Sequence, residues 1–446
     1  MNENMCLLIL LMLVQQAFVF SKPLKQFSNA STQLFKHSRK DSSEQSRPAE
    51  EWSVKGAFES DILLTSEQAR TIKAGILSSE SGQFRNKRKA LTNIESLWPS
   101  GVIPYQFEAD FPWRGEVLKA IKHWENETCI TFRDVSANVK PDLGHTSLLQ
   151  FSIGEGCSSH IGRSSDGGAQ ETFLSESCHS VGSVVHEIGH VIGFYHEQSR
   201  PDRDEYVQIH EDNVKSGELF QFRKYDTNRI RTNEPYDIGS VMHYGPKWFS
   251  KDRESHTIDP LDKRMTPLMG QREGLSYIDV KTANSLYNCN SKCPADLMCE
   301  NGGYVGPRCT CVCPNQLTGR TCSQVVRENT DGLDCGGIFT QHTGTITSPG
   351  YPNKYSNDTI CNWMIKADQG RTIILDIQTF SLENGNACQF DSLEVRIYGP
   401  GLAGPKLCGE FKKSEQMTYH GQSLVIRFKS DESYTASGFS INYHIQ

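Results

Sequence analysis

Apolar and polar positions alternate along the last quarter of the chain. In residues 373–378 and 424–429, one set of alternate positions is entirely apolar, and the other set includes Asp376 and Arg427. Alternation with a period of two residues predicts β-strands that bury one face. We therefore expect residues 335–446 to form a domain composed mainly of strands.

A helical periodicity appears nearer the start of the chain. Val117, Ile121 and Trp124 recur at spacings that place them on one face of a helix. The segments 101–107 and 129–132, on either side of this helix, are typical of strands. The mixture predicts the α+β class for the part of the chain that precedes the strand-rich domain.

The chain begins with a short apolar run. Met5 to Phe20 is apolar apart from two glutamines. The run is shorter than the ~20 residues of a membrane-spanning helix, and its position is typical of a secretory signal peptide. The residues before it lack Lys and Arg, unlike a standard signal. We expect residues 1–21 to be removed by cleavage near Ser21, and we expect no membrane span elsewhere.

The number of cysteines and the net charge indicate the cellular compartment and the class of partner. The chain has 446 residues and 15 cysteines; Cys6 lies in the signal peptide, so an even number remains. An even number suits disulfide pairing in a secreted protein. N-x-S/T sequons at Asn29, Asn126 and Asn357 predict glycosylation and agree with an extracellular location. The net charge of −7 gives no indication of a nucleic-acid partner.

The sequence HEIGHVIGFYH begins at His186 and has the spacing of a metal site. Residues four apart on a helix share a face, so His186 and His190 can present ring nitrogens to one ion. Gly193 can adopt a positive φ and end the helix, which lets His196 return as a third ligand. Three protein ligands with a fourth position left for water are typical of catalytic zinc.

Glu187 lies beside the ligand face of this helix. From there its carboxylate can reach a water molecule on the zinc without binding the metal, and it can take the proton of that water. A bare HExxH pattern also arises from surface histidines. The longer spacing, with Gly193 and His196, is more specific and is the metzincin form of the zinc-protease signature.

Further motifs surround this string. Met242 lies 46 residues after His196 within SVMHY, and LWPSGVIPYQF and RPDRDEYV occupy residues 97–107 and 200–207. Together with HEIGHVIGFYHE, these motifs resemble the astacin family of zinc metalloproteases. The resemblance covers residues 89–289 and implies an astacin-type metzincin catalytic domain with a zinc cleft.

The resemblance implies roles for several other residues. Met242 would form a turn beneath the zinc, and Tyr244 would be a metal ligand that swings away to stabilise the oxyanion of the transition state. Glu197 would hold the new amino terminus of the activated enzyme, and residues 169–174 would form an edge strand that pairs with substrate. The implied disulfides are Cys129–Cys289 and Cys157–Cys178.

Residues 22–88, the prosegment, are polar, lack cysteine and end in RNKR at Arg85–Arg88. Furin-like convertases cut after such basic motifs, so we expect a propeptide that is removed after Arg88. The enzyme would then begin at Lys89, nine residues before Trp98, as in the family.

The prosegment also resembles the inhibitory switch of the family. Its FESDI sequence, residues 58–62, is similar to the FxGD motif. The resemblance implies that Asp61 binds the zinc in the zymogen and displaces the catalytic water. Ser60 stands where glycine is usual, so a requirement for positive φ at this position would make serine costly and latency less tight.

Residues 293–322 hold a dense cysteine cluster. So small a segment needs covalent or metal crosslinks to fold. Cysteine clusters also bind zinc, but a secreted context favours disulfides. The segment resembles an EGF-like module, without an acidic calcium signature before Cys293. Among 15 connectivities the resemblance implies Cys293–Cys309, Cys299–Cys311 and Cys313–Cys322.

The strand-rich residues 335–446 carry the motifs SPGYP at 348–352 and CNW at 361–363. They resemble a CUB domain, which implies an antiparallel β-sandwich with disulfides Cys335–Cys361 and Cys388–Cys408. Calcium-binding members use three acidic residues, and the matching positions are Glu383, Asp391 and Asp431. Oxygen ligands from separate loops suit Ca²⁺, and such a site often helps to bind a protein partner.

These features predict a secreted zinc endopeptidase made as a zymogen. The order of its domains resembles nematode astacins and embryonic or hatching-type proteases, which implies matrix, cuticle or egg-coat proteins as substrates. The alternative is a catalytically silent adhesion or scaffold protein in which the EGF-like and CUB modules do the binding. Retention of His186, Glu187, His190, His196 and Tyr244 favours the enzyme.

Overall fold

The computed structural model describes residues 57–65, 68–70, 96–136, 143–164, 167–225, 234–327, 335–411 and 413–446. The predicted signal peptide, the RNKR motif, Lys89 and the sequon at Asn29 lie outside these ranges. No helix within them is both long enough and apolar enough to cross a membrane.

A six-stranded sheet forms one layer of the first domain. Its strands are β1 (Ile62–Leu63), β2 (Val102–Phe107), β3 (Thr131–Asp134), β4 (Leu148–Ile153), β5 (Ser158–His160) and β6 (Ala169–Leu174). They lie in the order β1-β5-β6-β4-β2-β3, and all neighbours are parallel except β5 and β6. A separate antiparallel pair joins β7 (Val207–Ile209) to β8 (Ile258–Pro260).

Two expectations for this sheet are wrong in detail. The strand expected at 129–132 begins only at Thr131, because the N–H of Ile130 donates to Oγ1 of Thr128 (3.2 Å) instead of entering the ladder. The segment 169–174, expected at the edge, lies between β4 and β5. The short strand β5 is therefore the edge of the part of the sheet formed by residues 102–174, and β1 of the predicted prosegment pairs with it.

The longer helices of this domain are α1 (Arg114–Glu127), α2 (Val181–Val191) and α3 (Tyr277–Leu286). Short 3-10 turns occupy Pro99–Gly101, Glu197–Ser199, Arg203–Glu205, Glu211–Asn213, Leu219–Phe222 and Lys263–Leu268. The apolar face predicted for α1 is confirmed, since Val117, Ile121 and Trp124 are all buried. The indole of Trp124 also donates to the carbonyl of Val185 in α2 (3.1 Å).

Helix α2 lies in the middle of the domain. Ten of its eleven residues are buried, as expected for a helix that is apolar around most of its circumference. Ser180 caps it by accepting a hydrogen bond from the N–H of Ser183 (3.2 Å). A Cβ at Gly182 would lie 1.6 Å from the carbonyl oxygen of Arg272, so only glycine permits this close approach.

The C-terminal domain is a sandwich of two sheets. Its strands are β13 (Gly337–Phe339), β14 (Thr343–Thr347), β15 (Ile360–Lys366), β16 (Thr372–Ser381), β17 (Ser392–Val395), β18 (Lys406–Leu407), β19 (Glu415–His420), β20 (Ser423–Lys429) and β21 (Gly438–Ile445), with a 3-10 turn at Asn386–Cys388. The five-stranded sheet has the order β13-β15-β20-β17-β18, and the four-stranded sheet has the order β14-β21-β16-β19. Both segments with alternating apolar residues are strands, β16 and β20, as predicted.

The cysteine-rich segment between these domains forms two small antiparallel pairs. They join β9 (Tyr304–Val305) to β10 (Cys311–Val312) and β11 (Leu317–Thr318) to β12 (Gln324–Val325). Its apolar residues pack on Met364 and Val425 of the sandwich. Val425 belongs to the more polar set of the alternating pattern, so this neighbouring module explains why an apolar residue occupies that position.

Disulfides join the 14 cysteines from Cys129 onwards, in the seven pairs that the sequence predicts. Three of these bonds crosslink the small central segment, two lie in the first domain and two in the sandwich. The bonds therefore supply the crosslinks that a segment too small for its own core requires.

Loss of the disulfide with the longest loop should destabilise the first domain most. Cys129 and Cys289 are 160 residues apart in sequence, and Cys157 and Cys178 are 21 apart. In the chain-entropy account, replacing the first pair by serine lowers the free energy of unfolding by about 5 kcal/mol, and replacing the second by about 3 kcal/mol. Denaturant unfolding of the two double variants measures the difference, and equal losses would contradict it.

Candidate zinc site

Helix α2 and the turn after it bring three imidazoles together. His186 and His190 lie one turn apart on α2, and Gly193 adopts φ 110°, which lets the chain reverse. The ring of His196 consequently lies 4.8 Å from that of His190 and 5.3 Å from that of His186. All three rings are buried. The helix stop expected at Gly193 is thus confirmed.

The Nδ1 atoms of His186 and His190 each have a backbone partner. Nδ1 of His186 lies 2.8 Å from the carbonyl oxygen of Val241, and Nδ1 of His190 lies 2.8 Å from that of Phe194. Because a carbonyl oxygen only accepts, both Nδ1 atoms donate. The lone pairs of these neutral rings therefore lie on Nε2, the atom that faces the centre of the site.

The carboxylate of Asp61 lies at this centre. Its Oδ2 is 3.3 Å from Nε2 of both His186 and His196, and its Oδ1 is 3.7 Å from Nε2 of His190. The Nε2 atoms of His190 and His196 are both buried, and neither makes a hydrogen bond within the described part of the chain. Three imidazoles and a carboxylate, all with ligand atoms within 4.8 Å of one another, fit a tetrahedral zinc ion.

The electrostatics of these residues suit a bound cation. Burial lowers the pKa of His186 to about 4 and lowers that of His190 well below its ordinary value, so both remain neutral, as metal ligands must be. Burial opposes ionisation of Asp61, but the charge of His196 outweighs it and holds the pKa of Asp61 well below the ordinary value. Asp61 is therefore an anion at the centre of a site in which His186 and His190 are neutral.

Glu187 is buried next to the ligands, and among the described residues its Oε2 has no hydrogen-bond partner. Burial raises the pKa of Glu187 well above its ordinary value, and the charge of Asp61 raises it further, whereas a hydrogen bond with Ser159 acts in the opposite direction. A carboxylate that readily accepts a proton is what a general base requires.

The turn that contains Met242 lies under the histidines. The carboxylate of Asp279 in α3 accepts hydrogen bonds from Oγ of Ser240 (2.7 Å) and from the N–H of Val241 (2.9 Å). The turn approaches α2 so closely that a Cβ at Gly189 would lie 2.6 Å from Sδ of Met242. The turn therefore fixes the position of α2. Through the carbonyl of Val241 it also fixes the orientation of the His186 ring.

Tyr244 and Glu197 both lie beside the site, and each has a partner of its own. The ring of Tyr244 is 4.8 Å from that of His196, and its hydroxyl donates to the carbonyl oxygen of Glu59 (3.0 Å). Buried Glu197 accepts hydrogen bonds from Arg200 (3.0 Å) and from the N–H of Asp237 (2.8 Å). Its predicted partner, the terminus at Lys89, lies outside the described residues.

Sequence reasoning missed the contribution of Glu59. Its carboxylate is completely buried, lies 2.8 Å from Nδ1 of His196 and accepts a hydrogen bond from Ser199. Glu59 and Ser60 adopt φ 49° and 73°, so Ser60 meets the condition under which we expected serine to be costly. The only sequence feature that pointed to Glu59 was its acidic side chain two positions before the aspartate of the FxGD-like motif.

Comparison with known proteins identifies the family. Residues 90–288 match the family described as Astacin (Peptidase family M12A), and residues 335–443 match the CUB domain. Protein SpAN of Strongylocentrotus purpuratus is 38% identical over 405 residues, which are 89% of this chain and 64% of that protein. Zinc metalloproteinase nas-36 of Caenorhabditis elegans is 36% identical over 394 residues, 86% of this chain and 62% of that protein. The chain belongs to the astacin family.

This astacin spans less than two thirds of the length of these two relatives. Among solved structures, it is similar to high choriolytic enzyme 1, a hatching enzyme zinc-protease from Oryzias latipes. The identity is 33% with a TM-score of 0.39, over 46% of this chain and 99% of the other. Astacins use zinc, which agrees with the donor set formed by the histidines.

A second group of candidate metal ligands lies in the CUB domain of this astacin. Glu383, Asp391 and Asp431 each offer a carboxylate oxygen within 4.8 Å of the others. Buried Asp391 accepts hydrogen bonds from the Tyr355 hydroxyl and from the N–H of Asp431 (2.9 Å). Burial and the neighbouring carboxylates raise the pKa of Glu383 and Asp391, so a cation would relieve their mutual repulsion.

Substitution of Gly189 by alanine should disturb the zinc site of this astacin. Alanine normally stabilises a helix relative to glycine by up to about 1 kcal/mol. Here the added methyl group would meet Met242, and overpacking of this kind costs about 1–3 kcal/mol. We expect Gly189→Ala to lower both the melting temperature and the zinc content. Gly115→Ala in α1 is the control, since nothing lies within 4 Å of its Cβ. Equal behaviour of the two variants would contradict the prediction.

Proposed function

We propose that this chain is a secreted zinc-dependent endopeptidase that is made as a zymogen. The observation that carries this proposal is the position of Asp61, a prosegment carboxylate within 3.7 Å of Nε2 of all three histidines. A prosegment residue at the centre of a metal site blocks the place where water would bind. Its removal would open the fourth ligand position of a catalytic zinc.

The residues around the site have distinct tasks in peptide hydrolysis. His186, His190 and His196 would hold the zinc, which would supply Lewis acidity and lower the pKa of water. Glu187 takes a proton from the attacking water and passes it to the leaving amine. The hydroxyl of Tyr244, once released from Glu59, donates to the carbonyl oxygen as it gains negative charge.

The prosegment also blocks the strand on which a substrate would bind. Ile62 and Leu63 pair with Ser159 and His160 of β5, the edge of the catalytic sheet. A substrate backbone would add to the same edge by β-augmentation once the prosegment leaves. We therefore assign substrate pairing to β5 in place of residues 169–174.

Activation would follow cleavage after Arg88 by a furin-like protease. The mature enzyme would begin at Lys89 and comprise a peptidase domain at 89–289, an EGF-like module at 293–322 and a CUB domain at 335–446. Burial of Glu197, directly after the third histidine, supports its role as receiver of the new terminus. Residues 1–21 would direct secretion, and Asn29, Asn126 and Asn357 would carry glycans.

The names of relatives and the order of the domains support a substrate class. Two relatives are named blastula protease 10 and high choriolytic enzyme 1, the second described as a hatching enzyme. We propose extracellular proteins of the egg-coat, matrix or cuticle type as substrates. The CUB domain, with Ca²⁺ held by Glu383, Asp391 and Asp431, would bind a protein ligand.

Replacement of the general base should separate hydrolysis from metal binding. After cleavage following Arg88, we expect Glu187→Gln to lose peptidase activity by at least about 1000-fold while it keeps one zinc, because Glu187 moves the proton but is not a ligand. Casein hydrolysis and zinc analysis measure the two properties, with the surface variant Glu211→Gln as control. An activated parent chain without chelator-sensitive hydrolysis would favour the scaffold alternative, and an active Glu187→Gln variant would refute the mechanism.

The CUB domain should bind calcium through its three acidic residues. We expect Ca²⁺ with a dissociation constant on the order of 10⁻⁴ M, as for extracellular modules, to raise the melting temperature of the sandwich. Asp431→Asn should abolish the shift, because it removes one of three converging charges. Exposed Asp368→Asn is the control. Isothermal titration with Ca²⁺ and Mg²⁺ checks the binding directly, and unaltered affinity in Asp431→Asn would exclude this site.

A further inference from the structure

The Nδ1 atoms of the three histidines, which point away from the centre of the site, have partners of two different kinds. Nδ1 of His186 and of His190 faces a backbone carbonyl of the peptidase domain itself. Nδ1 of His196 instead faces a carboxylate oxygen of Glu59 at 2.8 Å. Since Glu59 belongs to the prosegment, His196 is the ligand whose partner would leave when the prosegment is removed.

Glu59 and Asp61 hold His196 from opposite edges of its ring. Oε2 of Glu59 lies 2.8 Å from Nδ1, and Oδ2 of Asp61 lies 3.3 Å from Nε2. The imidazole is thus placed between two anions, both supplied by the prosegment.

The contacts of Glu59 show that its side chain is built into the peptidase domain. The carboxylate is completely buried and also accepts a hydrogen bond from Oγ of Ser199, and the carbonyl oxygen accepts one from Tyr244 (3.0 Å). The left-handed backbone at Glu59 and at Ser60 is unfavourable for residues other than glycine. Such a conformation persists where surrounding contacts over-determine it, as these contacts do.

A carboxylate that accepts a hydrogen bond from a metal-bound histidine makes that histidine a stronger ligand. Loss of such a partner typically weakens metal binding by about 10–100-fold. We propose that Glu59 is the outer-shell carboxylate of His196, so that the prosegment tightens zinc binding through this ring in addition to covering the metal with Asp61. This inference rests on the proposed zymogen function. Activation would then weaken His196 as a donor and make the zinc more electrophilic at the moment the site opens.

The test compares full-length zymogens that differ only in the prosegment. Zinc affinity is measured by competition with a chromophoric chelator, and the cobalt-substituted proteins are compared by their visible absorption spectra. We expect Glu59→Gln to bind zinc about 10–100-fold more weakly than the parent and to show a shifted cobalt spectrum. Gln68→Ala is the control, because Gln68 docks the prosegment through the carbonyl of Ile161 (3.0 Å) without touching a histidine.

Removal of the prosegment makes the comparison decisive. After cleavage, every variant has the same mature chain, so zinc affinities and cobalt spectra should become identical. If Glu59→Gln matches the parent before cleavage while Asp61→Asn alters the spectrum, Glu59 has no outer-shell role but the zymogen mechanism stands. If neither substitution changes the spectrum, the prosegment does not contact the metal and the zymogen mechanism itself fails. A change in Gln68→Ala as large as that in Glu59→Gln would assign the effect to docking alone and overturn the proposal.

Discussion

Three buried imidazoles that direct Nε2 to a single point are the constraint on which the catalytic domain depends. Buried polar atoms without a partner are costly, so this arrangement requires a metal, a carboxylate or both at its centre. Each ring is held at Nδ1: His186 by the turn that contains Met242, His190 by the turn after α2, and His196 by Glu59. The three segments therefore set the geometry of the site together.

The sequence predicted the features that follow from local spacing. The three histidines and Glu187 lie within one helix and its terminal turn, so their spacing alone determines that they meet. The strands β16 and β20 were similarly evident, because burial of one face imposes a period of two residues. The family resemblance supplied the disulfide pairs, which spacing could not have decided.

The features that were missed depend on contacts between distant segments. Glu59 meets His196 across 137 positions of sequence, and no local pattern records that approach. The edge of the catalytic sheet was misplaced for the same reason, because the order of strands is set by tertiary pairing and β5 is only three residues long. The burial of Val425, on the other face of β20, could not be predicted either, because it depends on contact with a separate module.

Zinc-edge X-ray absorption of the full-length protein tests the central claim most directly. The account predicts a zinc ion bound by three imidazole nitrogens and one carboxylate oxygen in the parent chain, and a changed oxygen shell in Asp61→Asn. Zinc bound by fewer than three imidazoles, or a coordination shell that is indifferent to the substitution of Asp61, would contradict it.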